Sequence, residues 1–277
     1  MKSYQESRRI NTILVYAMLG AGAVLMIFPF LWMLLTSFKS AGESVQIPPT
    51  ILPKEWLADN YEKALIALPF IKLYTNTVLL ILFRVICAVA FSSAAGFAFA
   101  KLKFRGKNLL FSLVIMQMML PSQIFIIPQY QMLAKKGLTN SIFALVFPGL
   151  VSAFGTFFLR QAYMGIPDEL GEAAYLDGCT KWQSMFRIVF PLASPGIAAT
   201  AIFCFTLCWS EYQYALVSIT KSDLQTIALT LSNMVVADVY AWGPLMAGSI
   251  VATLPVLLMY TAMSKYLVSG LTVGAVK

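Results

Sequence analysis

An all-α integral membrane fold follows from three observations on this 277-residue chain. It is 59% hydrophobic and only 12% charged, with mean hydropathy +0.77. A soluble domain of this size has no use for so much apolar surface, so the bilayer is the expected solvent. Six runs, at about 12–37, 73–100, 109–133, 142–160, 196–219 and 242–267, each supply the roughly 20 predominantly apolar residues that a span needs. Such runs read as helices because lipid satisfies no backbone polar group, and barrel strands would be shorter and would alternate. Finally, basic residues gather in the segments between runs on one side. The whole of 1–277 reads as a single transmembrane domain.

The N-terminal Lys2, Arg8 and Arg9 precede a run too long for the core of a signal peptide, so it reads as span one. That span ends FPFLWMLLTSFKS, with Trp32 in its outer third and Lys39 just beyond. The segment after it, to Ile71, contains IPPTILPKEW, whose prolines favour an extended start; Trp56 and Tyr61 suit the membrane interface. Span two carries Ala88, Ser92, Gly96 and Ala100 at i+4 spacing, a stripe that lets helix backbones approach closely. Span three is interrupted at Pro121 and Pro128, where kinks are expected.

Two ionisable residues fall inside spans. Arg84 lies about ten residues, or roughly 15 Å, into span two. Glu211 lies in CWSEYQYAL in the outer part of span five. Charges at depth cost about 2.5–3.5 kcal/mol on insertion scales, so both are expected to face protein or water. One reading pairs them structurally. The other lets them line a polar pathway, with Tyr212 and Tyr214 beside them.

Six spans put both termini on one side, and the positive-inside rule chooses it. With cytoplasmic termini, the inside segments hold Lys2, Arg8 and Arg9, the tight cluster Lys101, Lys103, Arg105 and Lys107, then Arg160, Lys181, Arg187, Lys265 and Lys277. The outside segments hold Lys39, Lys54, Lys63, Lys72, Lys135, Lys136 and Lys221. Both ends and the stretch 161–195 are therefore expected in the cytoplasm. The net charge of +8 is scattered over span ends, a pattern that suits lipid headgroups and not nucleic acid.

The stretch IPDELGEAAYLDGCTKWQSMFRIVFPLASP, lodged between spans four and five, carries its own capping chemistry. Asp168 and Glu169 follow Pro167 and suit the first turn of a helix. Leu170, Ala173 and Ala174 form a narrow stripe on that helix. Gly178 supplies the left-handed position that ends it. Thr180 and Gln183 read as a capping box for a second helix, which Pro191 is expected to stop. The result is a compact, capped knob suited to a cleft on another protein.

Catalytic chemistry is missing. The chain has no histidine, and Cys87, Cys179, Cys204 and Cys208 form no zinc pattern. The ending GLTVGAVK lacks the Gly-Lys-Ser/Thr of a phosphate-binding loop. Acids at depth are too few for a proton relay. A stand-alone secondary carrier would show internal inverted repeats, and a membrane enzyme a polar catalytic set at depth. The chain offers a pathway without an engine, which points to energy delivered from outside through a cytoplasmic docking element.

Glu172, Ala173 and Ala174, then Gly178 after three residues, Ile188 after nine more and Pro191 resemble the EAA motif of ABC-importer permeases. Phe190 stands where leucine is usual, and Cys179 where alanine commonly follows the glycine. FPFLWMLLTSFKS, FRGK, MMLPSQIFIIPQY, WSEYQYAL and GLTVGAVK extend the likeness over nearly the whole chain. They are similar to the carbohydrate-uptake group, within it to the G-type subunit of maltose and oligosaccharide importers. The resemblance implies a non-catalytic subunit of a bacterial or archaeal cytoplasmic membrane. It implies a second, F-type permease, two cytoplasmic ATPase subunits that hold ATP and Mg²⁺, an external or periplasmic solute-binding protein and a sugar substrate. This chain would itself bind no cofactor. Glu172, Ala173, Ala174, Asp177 and Gly178 would couple to the ATPase, and a tail with Gly270, Gly274 and Lys277 would reach it too.

Overall fold

The computed structural model describes residues 2–237 and 242–272, with side chains over 11–234 and 242–263. The described residues are helical or irregular, with no strand among them. They divide into two compact units, one holding residues up to Pro69 with Asn233–Leu254, the other Phe70–Ser232 with the residues from Pro255 on.

In the first unit, α1 (Lys2–Thr36) continues through Pro29 and presents an exposed apolar surface. A short α2 (Ala41–Ser44), an irregular stretch over the prolines and α3 (Asp59–Ala67) follow. Polar side chains tie this segment down. Asn60 donates to the carbonyls of Ser37 and Lys39, both at 2.9 Å. Lys39 is buried, its ammonium 4.6 Å from the Trp32 ring centroid and bonded to the Thr50 carbonyl. The Glu43 carboxylate accepts from Thr50 Oγ1 and from the Lys54 amide. A Cβ on Gly243 would lie 2.5 Å from Asn60 Nδ2, so only glycine admits this approach.

The second unit is built on α4 (Phe70–Lys101), which packs most extensively on α8 (Ala153–Met164). The small-residue stripe makes this possible. Ala88 and Ser92 are fully buried, and a Cβ on Gly96 would lie 3.0 Å from the Arg160 amide nitrogen. A Cβ on Gly155 would meet Ser92 Oγ at 2.6 Å, and Ser92 Oγ donates to the Ser152 carbonyl. The two backbones approach closely because Gly96 on α4 and Gly155 on α8 carry no side chain where the other helix comes nearest.

Between these helices run α5 (Lys107–Met119), α6 (Ile126–Lys135) and α7 (Ile142–Val146). After α8 come α9 (Asp168–Leu176), α10 (Lys181–Ser184), α11 (Phe190–Leu192), α12 (Ser194–Trp209) and α13 (Gln213–Ser218). Finally, α14 (Ile227–Ala237) and α15 (Trp242–Thr272) reach into both units.

Among the described residues, three single helical stretches are long and apolar enough to cross a membrane: Asn11–Thr36, Phe70–Lys101 and Trp242–Met263. Three further bent pairs qualify only if each counts as one span, giving three to six candidates. The bends shape the later runs, the first of them at Pro121, where a kink is expected. The third run breaks by 99° at Leu120–Pro121, where proline drives Leu120 to an extended ψ of 130°. Pro128 does not interrupt; it lies in the first turn of α6, where a missing N–H costs nothing. The fourth run bends by 47° before Ser152, which caps α8 through the Gly155 amide. The fifth stops at Trp209 instead of reaching Ile219, because Glu211 turns back to cap α13.

Candidate functional site

Two features stand out in the second unit: the capped knob after α8 and a polar cavity beside α4. The knob begins at Pro167, whose extended ψ of 138° sets off α9, with Asp168 and Glu169 in its first turn. Lys101, the last residue of α4, reaches the Ile166 carbonyl and Asp168 Oδ1, both at 2.5 Å. This hydrogen bond, with the attraction of the same ammonium, holds the Asp168 carboxyl below its ordinary pKa.

The far end of α9 closes in a Schellman turn. Gly178 has φ +83°, its amide donates to the Tyr175 carbonyl, and the Cys179 amide donates to that of Ala174. Thr180 and Gln183 then cap each other, Thr180 N to Gln183 Oε1 at 2.8 Å and Gln183 N to Thr180 Oγ1 at 3.3 Å. Pro191 does not stop this helix. A π-type turn over Met185–Val189 leads into α11, and the run continues to Leu192. The wider turn relieves the i−4 carbonyl that a proline ring would otherwise strike.

Met185, Val189 and Ala193 pack with Phe97, Leu159 and Tyr163, seating the knob on the ends of α4 and α8. Of the expected stripe, Ala174 alone is buried, while Leu170, Glu172, Ala173 and Asp177 are exposed. Leu176 is 86% and Trp182 62% exposed, and Trp182 stacks on Phe186, also exposed, at 6.2 Å. Apolar surface gathered in this way on a short polar segment is of the kind that interaction sites present.

The cavity has a volume of about 370 Å³ and brings Arg84 and Glu211 together. Arg84, near the middle of α4, is 5% exposed; its Nη1 lies 3.9 Å from Glu211 Oε2 and 4.0 Å from Cys208 Sγ. Its Nε has no hydrogen-bond partner. Glu211 Oε1 accepts from the Tyr214 amide at 3.1 Å. Tyr214 lines the cavity, whereas Tyr212 lies outside it and is partly exposed. Sequence reasoning missed Gln117, Gln129 and Gln213, which also line it; their signal was polar amides within otherwise apolar runs. It also missed Gly149, where a Cβ would sit 2.7 Å from Arg84 Cδ. Gly270 lies in α15, whereas Gly274 and Lys277 fall outside the described residues. Among the described residues no group of His, Cys, Asp and Glu is placed to hold a metal.

A family model described as "Binding-protein-dependent transport system inner membrane component" matches residues 88–273. The chain belongs to this family. It is a multi-pass inner-membrane permease of a binding-protein-dependent ABC importer, not itself catalytic, in a family whose engines are ATPase partners. Over 276 residues it is 30% identical to the inner membrane ABC transporter permease protein YcjP of Escherichia coli (strain K12), covering 98% of this chain and 99% of that one. Over 272 residues it is 32% identical to the arabinooligosaccharides transport system permease protein AraQ of Bacillus subtilis (strain 168), covering 97% and 96%. A crystal structure of a bacterial ABC transporter involved in import of the acidic polysaccharide alginate superposes with TM-score 0.79 at 22% identity, covering 94% of this chain and 97% of that one. At that identity the likeness speaks for the fold.

Proposed function

We propose that this permease is one half of the translocation pathway of an ATP-driven sugar or oligosaccharide importer. In this reading 1–277 is a single six-span domain with both termini in the cytoplasm, each bent pair serving as one span or part of one. A second permease of the F type completes the pathway, and a periplasmic or extracellular binding protein delivers the sugar. Two cytoplasmic ATPases bind ATP and Mg²⁺ and drive the cycle. The likeness to AraQ, an arabinooligosaccharides transport system permease protein, supports a carbohydrate substrate.

The observation that carries the coupling is the exposed face of the Schellman-bent knob. Ala173 allows close approach, Glu172 offers a carboxylate, and Gly178 with Asp177 sets the bend between the two helices. Because Met185 and Val189 of the π-type turn, with Ala193 after α11, pack on α4 and α8, a push on the knob moves spans as a unit. The tail residues Gly270, Gly274 and Lys277 add a second ATPase contact, and deletion of 273–277 is expected to weaken coupling in an assembled complex.

The deciding experiment expresses this chain with its neighbouring transport genes and measures sugar uptake into vesicles. Uptake that requires the binding protein, ATP and both permeases is expected. Uptake by this chain alone would restore the stand-alone carrier.

A further inference from the structure

We infer that the cavity beside α4 is a saccharide subsite for an uncharged, hydroxyl-rich ring, held between Arg84 and Glu211. The inference rests on the importer reading and adds that this subunit touches the sugar itself.

The first observation is an unmet donor set. A guanidinium carries five N–H donors and no acceptor. Here it is buried, its Nε is without a partner, and its Nη1 stands 3.9 Å from Glu211 Oε2 and 4.0 Å from Cys208 Sγ. Charge-assisted bonds normally close to about 2.7–2.9 Å, so Arg84 is near its counter-charge without being satisfied by it.

The second concerns charge. Glu211 offers only acceptors, and one oxygen is engaged by the Tyr214 amide. The pair sets one basic side chain against one acidic one. An anionic ligand would place its charge beside Glu211, and a cationic one beside Arg84. A hydroxyl both accepts and donates, so a vicinal diol accepts from Arg84 while donating to Glu211.

The third is the wall. Gln117, Gln129 and Gln213 come from α5, α6 and α13 and face one cavity, each with an amide that donates and accepts. The volume of about 370 Å³ falls in the range of small-ligand pockets, about 300–1,000 Å³. The site is also built for the guanidinium, because Gly149 leaves open the space its stem occupies.

Cys204 lines the same cavity and is partly exposed, which gives a readout independent of transport. The complete complex in vesicles is first offered maltotriose, raffinose, lactose and arabinotriose, with trigalacturonate as the acidic counterpart. The purified complex, without binding protein, is then alkylated by N-ethylmaleimide in the presence of each imported sugar. Modification of Cys204 is followed by mass spectrometry. Import of a neutral sugar that slows this modification is expected. Arg84→Lys keeps the charge and loses the fork; it should weaken protection about tenfold, the factor that corresponds to 1.4 kcal/mol. Glu211→Gln, nearly isosteric, should weaken it as well. Import of trigalacturonate alone would overturn the inference, as would a neutral sugar imported without protecting Cys204, or full protection in Arg84→Lys. Import of none of these sugars, in a complex that takes up another class of solute, would overturn the sugar-importer reading instead.

Discussion

Gly178 and Lys101 carry the sharpest expectations at the residue scale. A Cβ on Gly178 would meet no atom within 4 Å, so its constraint is backbone alone, φ +83°. The left-handed conformation costs an L-residue roughly 1–2 kcal/mol, and a β-branched side chain more. Gly178→Val should therefore leave the complex assembled but lower sugar-stimulated ATP hydrolysis, while Gly178→Asn should retain most of it. Lys101 ties the end of α4 to the start of the knob. Because Asp168 has a folded pKa below the ordinary 3.8, its contact stabilises the protein above that value. The contribution disappears as pH falls through the folded pKa. Melting curves of the purified complex across acid pH should show a shallower acid-side loss for Asp168→Asn than for the parent. An identical slope would remove Lys101–Asp168 from the stability account.

The elements divide by how local their causes are. The knob's caps were legible because each is written within four or five residues: Asp168 in a first turn, Gly178 at a helix end, Thr180 with Gln183. The small-residue stripe on α4 was legible for the same reason, and the structure adds its partner, α8. Gly96→Leu should overpack that crossing, a fault worth about 1–3 kcal/mol. A lower melting temperature of the complex by fluorescence-detected size exclusion would show it. An unchanged one would mean that α4 and α8 do not meet as closely as described. The stop at Trp209 was hidden, since apolar residues resume at Tyr214 and the cause is one carboxylate folding back on an amide. The π-type turn before Pro191 was hidden too, because a proline signals an obstacle without saying how the helix accommodates it.

For the whole molecule, the sequence disclosed the membrane class, the capped form of the knob and the two ionisable residues of the cavity. It could not disclose that Gln117, Gln129, Gln213 and Gly149 gather around Arg84, because they come from separate elements far apart in the chain. The central claim is mechanical: an exposed knob joins this permease to the ATPases that drive it. Ala173 offers the most direct test, being exposed on α9 with no bulk of its own. An Ala173→Cys variant of the assembled transporter, with its other reactive cysteines replaced, is treated with a short thiol-to-amine cross-linker, one arm for the introduced cysteine and the other for a neighbouring lysine, and analysed by mass spectrometry. The account predicts a cross-link to an ATPase subunit whose yield changes when ATP is added. A cross-link to the binding protein would place the knob on the opposite side of the membrane and contradict it.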